Sequence, residues 1–134
     1  MLPATCTDMG WKSKRVRYCV LAGYCLMLIG LSSIPSQAMP NSQVLNYDKV
    51  LHALVYAGLG FLLASTQWPW FVALIIGILA GGLDELYQNV TPGRMPSLSD
   101  WVADSFGVAM GILVYRIFLH VTKLHSRGRK EKAR

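Results

Sequence analysis

Four apolar runs, at about residues 18–34, 50–66, 68–86 and 101–119, leave this chain little choice of fold. Each is long enough, at about 1.5 Å rise per residue and with its polar ends in the interface, to cross a hydrocarbon layer of roughly 30 Å as a helix. A water-soluble fold would need polar surface to cover these runs, yet only 15% of the 134 residues are charged and 53% are hydrophobic. The expected fold is therefore all-α, a polytopic membrane four-helix bundle. Residues 16–122 form its membrane domain, between a basic N-terminus (1–15) and a basic tail (123–134). No internal repeat or second domain is visible.

The position of the basic residues predicts the orientation. Of thirteen Lys and Arg, four lie in residues 12–17 and six in residues 123–134. Basic segments flanking the first and last spans place both termini in the cytoplasm of the cell membrane, with loops 35–47 and 89–99 facing outward. The same distribution, with no aromatic-interleaved basic surface, argues against a nucleic-acid partner despite the net charge of +6. Residues 12–17 and Ser36-Gln37-Ala38 also allow a signal-peptide reading of the first run. That run is long for such a segment, and we read it as a retained span. The short link Gln67-Trp68-Pro69-Trp70 is a tight turn whose tryptophans suit the headgroup layer. Cys6, Cys19 and Cys25 form no metal-ligand or disulfide pattern and read as small apolar packing residues.

The acidic residues converge elsewhere. Five of the seven, Asp48, Asp84, Glu85, Asp100 and Asp104, fall where spans two, three and four reach the outer face, joined by Lys49, His52, Gln88 and Arg94. The topology rests on apolar runs and basic flanks alone, so this convergence is independent of it and points to an outward polar site. Asp48, His52 and Tyr56 share one helical face by their four-residue spacing, as do Asp84 and Gln88. Gly77 and Gly81 below Asp84, and Gly107 and Gly111 below Asp104, permit close helix approach beneath the polar ends. Carboxylates at this depth are costly in lipid and must face each other, water or a cation. Ser97-Leu98-Ser99-Asp100 also reads as a capping box, which would explain Asp100 as a helix cap.

Asp48-Lys49-x-x-His52, Asp84-Glu85-x-x-Gln88, Pro92-Gly93-Arg94 and Asp100 leading to Asp104-x-x-Gly107 together resemble the VanZ-like family of bacterial membrane proteins, over about residues 31–119. The family takes its name from a member associated with teicoplanin resistance. The resemblance implies a role at the cell envelope, in tolerance of lipoglycopeptide antibiotics. One position departs: the family pattern usually carries Asn where this chain has Asp104.

Three functions fit these residues. In the first, Asp48, Lys49, His52, Asp84, Glu85, Gln88, Arg94, Asp100 and Asp104 bind an envelope lipid headgroup or a cell-wall precursor, Arg94 forking to phosphate or carboxylate. In the second, the chain is an intramembrane hydrolase of a lipid-linked phosphate or amide, with His52, Glu85 and Asp100 as candidate catalytic groups. A divalent cation in an oxygen-rich site is the candidate cofactor; zinc is less favoured, with a single His and no Cys nearby. In the third, the cluster is a structural network or partner-binding site. The polar residues stay at one end of the spans, which leaves no ionisable path through the membrane for a transporter.

Overall fold

The computed structural model describes residues 14–35 and 45–131, with the side chains of 14–35 and 49–125. Four helices follow one another: α1 (Lys14–Ser32), α2 (Leu45–Ser65), α3 (Trp70–Gln88) and α4 (Leu98–Glu131). No strand occurs among the described residues. The segments Lys14–Ser32, Trp70–Gln88 and Leu98–His125 are each long and apolar enough to cross a membrane. The apolar part of α2 is shorter, Lys49–Ser65. That helix packs on all three others, whereas α1 does not touch α4 among the described residues. Its neighbours cover the face that carries His52 and Tyr56, so polar groups are tolerated there, while Leu51 and Leu54 stay exposed. The exterior is apolar, with Leu26, Leu54, Leu79, Leu83 and Phe106 all more than half exposed, as a lipid-facing surface requires.

Helix α2 and helix α4 make the most extensive pair. A β-carbon at Gly107 would fall on the carbonyl oxygen of Ala53, one at Gly111 on that of Ala57, and one at Gly60 on that of Val108. Backbone therefore meets backbone along the seam. Helix α3 lies against α4 through Gly77, which seats the fully buried Val108, and Gly81, which seats Asp104 and Trp101. Trp101 also donates from Nε1 to the Ile78 carbonyl at 3.0 Å, locking these two helices. Around the seam, Leu28, Tyr56, Leu59, Leu63, Ala73, Val108 and Ile112 form the core.

Three boundaries differ from the sequence reading, the first being that α2 already begins at Leu45, ahead of the apolar run from about residue 50. Helix α4 continues past Leu119 to Glu131, because nothing in the polar segment after the apolar run interrupts the backbone ladder. Helix α1 begins at Lys14, so part of the basic flank lies inside it. Arg17 there is buried at 7% exposure and donates from Nη1 to the Ser65 carbonyl at 2.8 Å. Ser65 ends α2, where the last carbonyls lack helical partners and the helix dipole favours a cation. The chain then turns through Gln67 in the left-handed region (φ 70°) into α3. At this end of the bundle Arg116 lies 5.9 Å from the Trp70 ring and Tyr18 lies 6.2 Å from Trp68.

A charge-assisted bond of this kind contributes about 1.5–3 kcal/mol. Replacing Arg17 by Met should lower the thermal stability of the solubilised protein by about that amount, whereas Arg15→Met, on an exposed residue of the same turn, should leave it unchanged. Equal melting temperatures for the two variants would show that Arg17 acts only through its charge.

Candidate functional site

The polar ends meet because α2 and α4 begin, and α1 and α3 finish, at the same end of the bundle. The α1 end is tied to α3 by the Ser33 and Tyr87 hydroxyls, 3.0 Å apart, and to the following loop by Thr91 Oγ1 donating to the Ser32 carbonyl at 3.3 Å. Between these elements the polar residues divide into two groups that share His52.

The first group lines a pocket of about 220 Å³. Its apolar wall comes from Leu28 and Leu31 of α1 and Leu51 and Val55 of α2, and its polar wall from His52, Tyr56, Asp84, Gln88 and Arg94. Asp84 is held inside this wall: Gln88 Nε2 donates to its Oδ2 at 3.2 Å, and the Tyr56 hydroxyl points at the same carboxyl group. The Gln88 bond disperses part of the negative charge of Asp84, and Arg94 stands on the same wall.

The second group lies between α2, α3 and α4. Asp104 is fully buried and its Oδ1 lies 3.0 Å from His52 Nδ1. Its other oxygen, Oδ2, is buried with no hydrogen-bond partner and faces Gly81, where a β-carbon would come within 3.4 Å. Glu85 accepts the Ser97 backbone N–H on Oε2 at 2.6 Å. That bond overturns the capping-box reading. In such a box the acid at N3, Asp100, would accept the N–H of the cap residue; here the acid comes from α3. Ser97 remains at the cap position, its carbonyl accepting the Trp101 N–H at 3.1 Å. Asp100 is left to face inward, where His52, Glu85 and Asp100 each offer a ligand atom, all within 4.8 Å of one another.

Of the residues singled out in the sequence, the structure thus brings together His52, Asp84, Glu85, Gln88, Arg94, Asp100 and Asp104. Lys49 is exposed and lines no part of the pocket. Asp48 belongs to α2, and its side chain lies outside those described. Tyr56 and Ser32 also line the pocket and were not among the sequence candidates, although the spacing of Tyr56 from His52 places it on their shared face. The apolar wall from α1 had no signal in the sequence, because nothing in a uniformly apolar run marks which residues will line a cavity.

Helices that can cross a membrane, closed over a polar site at one end, define the protein as a small all-helical membrane protein. The model of the VanZ/LLP1 family matches residues 8–119, and the chain belongs to that family. Neither the curated proteins nor the solved structures contain a match to it. The matched region takes in α1, α2 and α3 and the part of α4 that packs on them.

Asp104→Asn keeps an oxygen to accept from His52 Nδ1 and removes a buried carboxylate, so in metal-free detergent solution it should melt at or above the wild-type temperature. Asp104→Leu leaves His52 without that partner and should melt lower, by about 1–3 kcal/mol of stability. The reverse order would show that the negative charge itself holds these helices together.

Proposed function

We propose that this VanZ-family membrane protein binds the anionic headgroup of an envelope lipid or a lipid-linked cell-wall precursor, at the outer face of the cell membrane. The pocket carries the reading: one wall is apolar, the other holds Arg94, Gln88 and His52 beside Asp84, and it lies towards one end of the bundle. A lipid is the molecule that needs both walls at once. The volume of about 220 Å³ is below the roughly 300–1,000 Å³ of pockets that engulf a drug-sized ligand. It suits a headgroup and the start of a chain, with the rest of the chain lying along the apolar exterior. Asp84, engaged by Gln88, opposes an anion less than a bare carboxylate would. The outward placement follows from the basic flanks, which put both termini in the cytoplasm. Sequestering a cell-wall precursor in this way would alter tolerance of teicoplanin and related glycopeptides.

A second reading, an intramembrane hydrolase of a lipid-linked phosphate or amide, is favoured by the His52–Asp104 pair at 3.0 Å. A carboxylate behind an imidazole orients it as a general base.

Native mass spectrometry of the gently solubilised protein should show a copurifying anionic lipid on wild type and its loss from Arg94→Ala at matched helicity; equal retention would overturn the binding reading. Incubated with that lipid, the hydrolase alternative predicts a cleaved product from wild type and none from His52→Ala. Retention with no turnover leaves the binding module.

A further inference from the structure

The cluster between α2, α3 and α4 has the make-up of a metal centre, and its separation from the lipid pocket gives it a meaning of its own. Each of three helices contributes one ligand: His52 from α2, Glu85 from α3 and Asp100 from α4, with ligand atoms within 4.8 Å of one another. A group of acids could arise from chance crowding, so two further observations decide the matter. Glu85 is only 6% exposed and its Oε1 is buried with no hydrogen-bond partner, while its Oε2 is committed to the Ser97 N–H. A buried carboxylate oxygen without a donor is costly, and a coordinated cation removes that cost. His52, in turn, has its Nδ1 on the fully buried Asp104. Imidazoles that bind metals through one ring nitrogen usually give the other to a carboxylate, which sets the ring orientation and raises its basicity.

We propose that His52, Glu85 and Asp100 bind one divalent metal ion through mixed nitrogen and oxygen ligation, Mn²⁺ ahead of Zn²⁺, and that Asp104 orients His52 from behind. The imidazole disfavours Mg²⁺ and Ca²⁺, which take oxygen ligands, and the two carboxylates without a thiolate disfavour a soft ion. A 2+ ion also offsets most of the negative charge of Glu85, Asp100 and Asp104 beside a single neutral imidazole. Three protein ligands leave coordination positions for water or another oxygen donor. His52 also lines the pocket, so the ion would sit beside the bound headgroup. The cation site itself does not rest on the lipid reading.

The test uses the full chain in detergent, stripped with a chelator and titrated with MnCl₂ alone, free Mn²⁺ being followed by electron paramagnetic resonance. Wild type should bind one equivalent, displaced by Zn²⁺ and not by Mg²⁺. Glu85→Gln retains an oxygen for the Ser97 N–H and should weaken binding at least tenfold, as should Asp100→Asn. Asp104→Leu, which removes the oxygen behind His52, should weaken it by about 10–100-fold, the effect of losing a partner behind a metal-bound imidazole. His120→Ala, which removes an exposed imidazole further along α4, should change nothing. Should Glu85→Gln not accumulate, Asp100→Asn serves alone. No saturable Mn²⁺ or Zn²⁺ binding by wild type, or equal affinity in wild type and the cluster variants, would overturn the site. Because no lipid is added, either result is independent of whether a lipid copurifies.

Discussion

Backbone contact between α2 and α4 is the constraint on which the remainder of the molecule depends. In lipid the medium is as apolar as the side chains, so burial of leucine gives helices little reason to associate, and close packing must do so. Gly60, Gly107 and Gly111 remove the side chains that would hold the two helices apart. The register that results sets the site as well. Gly107 abuts Ala53, the neighbour of His52, and lies one turn below Asp104. The contact that packs the helices thus delivers the imidazole to the carboxylate. Gly81 extends the same logic to α3, seating Asp104 without a β-carbon to displace it.

The two ends of α2 are satisfied by different means. At its C-terminus, Arg17 reaches across from α1 to the Ser65 carbonyl, so a residue that belongs by sequence to a basic flank serves as a helix cap. At its N-terminal end, α2 carries His52 into a cluster of acids. Around it the polar residues separate into a pocket that holds Arg94 and an engaged Asp84, and an inter-helix group that holds Glu85, Asp100 and Asp104. This division sorts the charges: Glu85, Asp100 and Asp104 gather in the inter-helix group, while the described pocket wall carries one carboxylate, Asp84, together with Arg94, Gln88 and His52.

Much of this was open to inspection in the primary sequence. Apolar runs without breaks can satisfy their backbone in lipid only as helices, which determined the all-helical class. The four-residue spacings of His52 with Tyr56, of Asp84 with Gln88 and of Gly107 with Gly111 follow from helix geometry alone, as does the gathering of acids at one set of helix ends. These are local properties, and the helical repeat makes them predictable. What only the tertiary structure decided is which group answers which. Ser97 and Asp100 have the spacing of a capping box, yet the Ser97 N–H is taken by Glu85 from another helix, freeing Asp100 for the cluster. Lys49 sits beside the site in sequence and is exposed in space, and α1, which carries no acidic residue, supplies Leu28 and Leu31 to the pocket's apolar wall. Partner choice of this kind depends on the rotation and depth of each helix against its neighbours. Those are set by where glycines let two backbones meet, a property of pairs of helices that no single run of sequence contains.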